Sequence, residues 1–363
     1  MLNRMVLAGA MVLCGTMSVW GDNWPAFRGG EANTIAAGKG YPQEWGPKTN
    51  IKWRTELPGD ANSSPIVYED RVFVTSARNK GKLRTLHCFD RNNGKELWSK
   101  TVEFDGKEPT HQTNPYEAAT PVTDGERVIV WHGTPGVFCY DLKGELQWER
   151  ELGVVDHIWG YGSSPILLDD RVILNYGPGT NSFLVALNKE SGEVLWKTDE
   201  PGATTGKGRY IGSWSTPIVA EVNGNQQILC SMPTRVVAYD PKNGNILWTI
   251  GGLASNRSDL AYTSMMVSGD IGVAMGGFKG PALGFKLGGE GDVTESNRLW
   301  RTENAQPQRI GTGVILGEYI YMANAGPGTI QCLELKTGKE LWVQRVQGNH
   351  WGSMVFADGL LYA

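Results

Sequence analysis

The stretch "RNNGKELWSK", Arg91 to Lys100, is written almost unchanged as "LKTGKELWVQ", Leu335 to Gln344. Trp53, Trp98, Trp148, Trp196, Trp248, Trp300 and Trp342 all close similar phrases, at spacings of 45, 50, 48, 52, 52 and 42 residues. Gly94, Gly144, Gly192, Gly244 and Gly338 stand four residues before five of them. Asp90, Asn188, Asp240 and Glu334 stand eight before, and Asp141 fills that role one residue closer to Trp148. Cys88, Ala186, Ala238 and Cys332 recur ten before. A period of this length marks a repeat architecture.

Each unit also opens alike. "SSPIVYEDRVFV", "AATPVTDGERVIV", "SSPILLDDRVIL" and "STPIVAEVNGNQQIL" read as strand, polar turn, strand, and "TSMMVSGDIGVAM", "GTGVILGEYIYM" and "GSMVFADGLLYA" are looser versions. Two later strands per unit make four antiparallel strands in roughly 40–50 residues, which is one blade of a β-propeller. The expected fold is therefore all-β, a propeller of four-stranded blades with few helices: six complete repeats and partial ones, seven or eight in the full protein. In the repeated phrase, Gly permits the positive φ of a tight turn, and Asp or Asn bonds its own turn backbone. The Trp offers a large ring to the next blade, with an N–H that needs an acceptor, and a small residue opposite makes room for it. One blade cannot bury its faces alone, so the seven Trp are read as structural docking residues.

The fifth unit, "GFKLGGEGDVTESNRLW", carries an insertion read as a surface elaboration. "NIKWRTELPG" is expected to be an outer strand completing the last blade, and "GLLYA" to lie inside the second strand of a seventh unit. About 25 more residues would then complete seven blades and about 75 would complete eight. Domain organisation is read as a leader over 1–21, an extension over 22–50 and the propeller over 51–363.

Composition limits the functional classes. The 363 residues are 40% hydrophobic with 14 Trp and a formal charge of −4. No Lys/Arg-rich run exists, which argues against nucleic acid as the partner. Arg4 followed by the apolar run Met5–Val19, with small Val19 and Gly21 before Asp22, reads as a cleaved export signal too short to span a bilayer. Its removal changes the charge from −4 to −5. Lipid attachment at Cys14 is disfavoured by bulky Leu13. The expected location is periplasmic or secreted, without a transmembrane segment in the mature chain.

The phrase "AYDPKNGNILW", Ala238 to Trp248, with "CFDRNNGKELW" and "CLELKTGKELW", resembles the tryptophan-docking motif of the PQQ-like β-propellers, and the resemblance covers residues 51–363. "NWPAFRGG", Asn23 to Gly30, is similar to the opening of many secreted members. The resemblance implies one of two activities: quinoprotein dehydrogenases that hold pyrroloquinoline quinone and calcium, or non-catalytic BamB-like scaffolds that bind proteins. The vicinal disulfide of many quinoprotein alcohol dehydrogenases has no counterpart here. Cys88, Cys139, Cys230 and Cys332 are expected to be buried free thiols, because equivalent blade slots lie ~10 Å apart, beyond disulfide reach. Ser64, Thr120, Ser164, Thr216, Ser264, Thr312 and Ser353 recur once per blade, as residues bonding backbone near the axis would. No Gly-x-Ser-x-Gly elbow and no zinc-ligand spacing occurs.

What remains is a pattern in the loops leading from each outer strand to the next inner strand, which gather at one mouth of a propeller. They carry His111, His157, Arg209, Arg257, Arg309 and His350, accompanied by Tyr116, Trp159, Tyr161, Tyr210, Trp214, Tyr262 and Trp351. Cationic donors and flat rings suit a protein partner or a small anionic or sugar ligand. The expected function is an exported, monomeric binding or scaffold module with no catalytic residue, no metal and no cofactor. The alternatives are a quinoprotein oxidoreductase using the quinone and calcium, and a glycan-binding propeller.

Overall fold

The computed structural model describes residues 23–30, 34–200, 210–256, 258–303 and 307–363. The proposed leader, Arg209 and Arg257 lie outside the described residues.

Six sheets, each built on four antiparallel strands and one of them joined by a fifth, parallel strand, follow one another along the chain as the blades of a β-propeller. Blade 1 comprises Ile66–Tyr68, Arg71–Arg78, Leu83–Asp90 and Glu96–Glu103. Blade 2 is Val122–Thr123, Arg127–Trp131, Val137–Asp141 and Leu146–Arg150, and blade 3 is Ile166–Leu168, Arg171–Tyr176, Phe183–Asn188 and Val194–Asp199. Blade 4 is Ile218–Val222, Asn225–Ser231, Arg235–Tyr239 and Ile246–Gly251. Met266–Ser268, Ile271–Met275, Ala282–Lys286 and Arg298–Arg301 form blade 5; Val314–Leu316, Tyr319–Asn324, Thr329–Glu334 and Glu340–Arg345 form blade 6. A seventh sheet pairs Val355–Ala357 with Leu360–Tyr362, and Ile35–Ala36 joins it parallel to Val355–Ala357.

The motif positions explain one another. The Nε1–H of Trp53 donates to the Arg91 carbonyl at 2.8 Å, Trp98 to Leu142 at 3.0 Å, Trp148 to Lys189 at 2.9 Å, Trp196 to Pro241 at 2.9 Å and Trp300 to Leu335 at 2.8 Å. Each acceptor is in the turn of the following unit, so the ring bridges blades. The turn glycine has two reasons to be glycine. Gly244 holds φ +73°, and a Cβ there would lie 2.4 Å from the Trp196 ring; Gly94 stands the same way against Trp53. Opposite each Trp in the ladder is the small residue: Cys88, Cys139, Ala186, Ala238, Gly284 or Cys332. All four described cysteines are buried free thiols.

Two docking residues differ from the rest. Trp248 finds no standard turn in blade 5 and donates instead to Gln227 Oε1 of its own blade, at 2.8 Å. The fifth-unit insertion is what meets blade 4: Gly291–Asp292 pairs parallel to Ile246–Gly251, and Thr294 Oγ1 accepts from the Gly251 amide at 2.8 Å. Trp342 lies 44% exposed on the outer strand of blade 6. The segment from Ile51 to Leu57, expected as an outer strand, pairs in no ladder among the described residues and packs Trp53 and Leu57 on Val72, Val74 and Phe89 of blade 1. It still places Trp53 and the Thr55 hydroxyl on the blade 1 turn.

The once-per-blade hydroxyls tie neighbouring blades together. The Ser64 amide donates to Thr120 Oγ1 at 2.9 Å, Thr120 to Ser164 Oγ at 3.0 Å and Ser164 to Thr216 Oγ1 at 3.0 Å. Ser264 donates to Thr312 Oγ1 at 3.0 Å, and Thr312 to Ser353 Oγ at 3.1 Å. Residues 23–30 enter from the end of the inner strands opposite these hydroxyls. Trp24 bridges Val67, and Pro25 accepts from the Thr123 amide. Arg28 reaches on to the carbonyls of Met265 and Gly313.

Candidate functional site

The loops preceding blades 2, 3 and 4 and the hairpins between second and third strands meet at one end of the inner strands. Here the hairpin after Arg78 and the loops before blades 2 and 3 enclose a cleft of about 620 Å³. Lys80, Lys82, Lys107, Pro109, Tyr116 and Val154 are on its walls, with Glu108 and Asp156. The lysines are exposed, and Lys82 pairs with exposed Asp105 at 3.0 Å.

The cleft floor is a buried polar network. Arg84 forms an ion pair with Glu108 at 2.8 Å, both side chains 1% exposed, and donates to the His132 carbonyl. Glu108 also accepts from the Thr134 amide at 2.6 Å. Burial raises the Glu108 carboxyl above its ordinary range, with the Arg84 charge and the Thr134 bonds pulling it back. The Tyr116 ring covers the Arg84 guanidinium at 4.9 Å. Glu117 stands beside them at φ +62°, a conformation L residues rarely hold, with its carbonyl accepting from the Asn62 and Ser63 amides. Its carboxylate lies 2.8 Å from His132 Nδ1 and accepts from the Tyr161 hydroxyl at 3.2 Å. Arg84 and Glu108 are paired with each other, as buried charges must be.

Beyond the floor, a row of rings continues the surface. Trp159 and Tyr210 stand 4.6 Å apart between centroids, and Trp159 lies 6.1 Å from Trp214. Trp214 meets His157 edge-on at 4.9 Å and Tyr262 at 5.5 Å. The Trp214 indole donates to the Gly160 carbonyl at 3.1 Å. Asn114 donates to both the Trp159 and Tyr161 carbonyls, at 2.7 and 2.8 Å, locking adjacent loops together. Tyr210–Ser213 pairs parallel with Ser258–Ala261, which fixes the loops before blades 4 and 5. Ile158 and Tyr210 are exposed, while Trp159, Trp214 and Tyr262 are half-buried. His157 is buried, and that burial lowers its pKa to about 4, with Asp156 and the Ile211 backbone offsetting it only in part.

The expected rim is therefore divided. Tyr116, Trp159, Tyr210, Trp214 and Tyr262 gather near blades 1 to 5, with His157 packed beneath. His111 lies half-buried with its Nδ1 2.8 Å from the Thr113 hydroxyl. His350 and exposed Trp351 sit apart, before the seventh sheet. Tyr161 and Arg309 are corrected: Tyr161 is 2% exposed and packs on Trp131 at 4.6 Å, and Arg309 is fully buried with its guanidinium towards Gln331. Neither can present its side chain at a surface.

Lys80 and Lys82 escape a reading that follows only the loops between blades, because the second-to-third-strand hairpins end at the same mouth, and Lys107, in the loop before blade 2, escapes one that seeks only His, Arg and rings there. A second polar cluster escapes it too, on the face of blade 1 away from blade 2. His87 lies with Nε2 2.9 Å from Ser76 Oγ and Nδ1 2.7 Å from Glu96 Oε1. The signal was available: Phe138, Val185, Val237 and Leu283 fill the His87 register position in blades 2 to 5. The relay has the spacing of a Ser-His-acid triad, but Ser76 is 1% exposed and absent from the walls of the 210 Å³ cleft that His87 and Glu96 line. A hydroxyl that no substrate reaches is not a nucleophile.

Calcium takes six to eight oxygen ligands. Glu108 is paired with Arg84 and Glu117 bonds His132 and Tyr161, and among the described residues no three His, Cys, Asp or Glu side chains converge on one point.

Comparison with known proteins agrees with the repeats. A tetrathionate hydrolase of Acidithiobacillus ferrooxidans is 23% identical over 76% of this chain, which spans 45% of that protein's length. The outer membrane protein assembly factor BamB of Burkholderia pseudomallei is 24% identical over 92% of this chain and 81% of its own. The crystal structure of BamB from Moraxella catarrhalis superposes with a TM-score of 0.59 at 18% identity, over 86% of this chain and 82% of that one, a likeness of fold. No described helix is long and apolar enough to cross a membrane. The model of the family described as outer membrane protein assembly factor BamB matches residues 82–344 and 289–363, and the chain belongs to that PQQ-like repeat family.

Proposed function

We propose that this protein is an exported, non-catalytic binding module that holds an extended segment of a partner protein in the lysine-lined cleft and along the ring row beside it. One observation carries the reading. Glu108 and Glu117 at the mouth are held in buried pairs and exposed Asp156 accepts from Thr180, while the other exposed groups are lysine ammoniums, aliphatic surface and aromatic faces. Such groups suit recognition of a partner's acidic and apolar side chains. Lys80, Lys82 and Lys107 select acidic side chains, and Val154, Ile158 and the Trp159–Tyr210 pair offer area to apolar ones. Bonds between loops hold these groups before a partner arrives, which lowers the ordering cost of binding.

Selection of peptides from a random display library against the chain starting at Asp22 tests this. The expected binders are acidic and aromatic, and Lys107→Glu and Tyr210→Ser each weaken them about tenfold or more, the scale of one lost contact. Binders indifferent to both substitutions would place recognition elsewhere. The Lys107 substitution also separates a protein partner from a glycan, whose neutral rings would depend on Trp159 and Tyr210 alone.

A further inference from the structure

Asp156 differs in sign from the other exposed charges of the cleft. It is an exposed carboxylate on the walls of the same 620 Å³ space as Lys80, Lys82 and Lys107. Its orientation is set by the blade 3 hairpin. The Thr180 amide donates to Oδ1 at 2.8 Å and the Thr180 hydroxyl donates to Oδ2, which fixes the plane of the carboxylate. Gly179, at φ +151°, lets the hairpin come this close, because a Cβ there would lie 2.2 Å from Asp156 Oδ1. The flanking backbone is held as well. The Val155 amide donates to Thr134 Oγ1 at 3.1 Å, and the Tyr176 hydroxyl donates to the Gly153 carbonyl at 2.7 Å. The lysines stand on other elements, Lys80 and Lys82 on the blade 1 hairpin and Lys107 in the loop before blade 2. The cleft therefore carries both signs of charge on separate supports.

Two fixed signs act as a filter. A partner carboxylate gains from the lysines, whereas one that comes beside Asp156 is repelled and a cationic side chain there is attracted. Repelling the wrong partner contributes to specificity as much as attracting the right one. We infer that Asp156 is the specificity-determining residue of the cleft, selecting a partner segment in which a Lys or Arg accompanies the acidic residues and turning away uniformly anionic chains. This deepens the recognition proposed above and rests on it. Asp156→Asn separates the charge from the support of the hairpin. The Asn carbonyl still accepts from the Thr180 amide, and its NH2 donates to the hydroxyl.

The test is parallel selection from one random peptide display library against wild type and Asp156→Asn, both starting at Asp22. Wild-type binders are expected to carry a Lys or Arg among their acidic and aromatic residues, and Asp156→Asn binders to be uniformly acidic. A wild-type binder is then compared with a version in which norleucine replaces its basic residue. The replacement should weaken binding about tenfold on wild type, the scale of one charge pair, and hardly at all on Asp156→Asn. Equal losses on both proteins, no loss on wild type, or the same basic enrichment in both selections would overturn the inference. So would poly-glutamate binding as tightly to wild type as to Asp156→Asn. Binders that Lys107→Glu does not weaken would overturn the recognition reading, and this inference with it. Should Asp156→Asn fail to fold, wild type decides alone. The loss caused by norleucine must then vanish in about 1 M salt, where charges are screened beyond about 3 Å, and a loss that persists refutes the charge pair.

Discussion

Gly244 shows how much one residue can be asked to do. Its backbone is in the left-handed region and the Trp196 ring lies where its Cβ would be. Gly224, at φ +77°, has nothing within 4 Å of that position. Gly224→Ala should therefore cost only the backbone strain, ~1–2 kcal/mol. Gly244→Ala should cost a further ~1–3 kcal/mol for the overpacked ring. Urea unfolding of both variants checks the difference, and equal losses would mean that the ring is not seated on the turn. His157 gives a pH signature. Its folded pKa of about 4 lies below the ordinary 6.5, so as pH falls through that window the unfolded chain takes up a proton that the folded chain refuses. Stability should drop between pH 6.5 and 4 by roughly 3 kcal/mol at most from this group. His157→Gln should flatten that part of the stability–pH curve, and an unchanged slope would show the ring to be solvated.

At the scale of the element, the blade was legible in sequence because its strands, turns and docking residue recur in phase. The reasons for the glycine were legible only by half. Positive φ follows from a tight turn, whereas the ring seated on it comes from the preceding blade, a contact some 48 residues away. Trp196→Phe loses the bond to Pro241, about 1 kcal/mol, together with the part of the indole seated on Gly244, and should cost more than the bond alone. Trp342→Phe should cost less, since Trp342 is 44% exposed. Differential scanning calorimetry of the pair checks the ranking, and a larger loss at Trp342 would contradict it. The loops were less legible. Tyr161 and Trp159 are two residues apart with similar chemistry, yet one is core and the other half-exposed, a difference set by Trp131 and Glu117 on other elements. Glu108→Gln, which leaves the Arg84 charge buried without its partner, should destabilise by about 3–5 kcal/mol. Glu108→Leu should be no milder, because the same charge stays unpaired. Equilibrium unfolding of Glu108→Gln near wild-type stability would show the pair to be hydrated.

At the scale of the whole molecule, repetition makes the scaffold and the exceptions make the site. The slot that is apolar in blades 2 to 5 holds His87 in blade 1, and the hairpin lysines belong to blade 1 as well. The N-terminal segment closes the picture from the opposite end of the inner strands, a role no repeat pattern could announce, because it contributes Trp24, Pro25 and Arg28 once each. On this reading the mouth is a recognition surface and not a cofactor-dependent centre. Thermal unfolding of the chain from Asp22 with and without pyrroloquinoline quinone and calcium tests this most directly. A specific site at 100 times its dissociation constant would add about 2.7 kcal/mol, so its presence would be plain. An unchanged Tm is the expected result; a rise that Trp214→Ala removes would contradict it and make the same mouth the seat of an oxidoreductase.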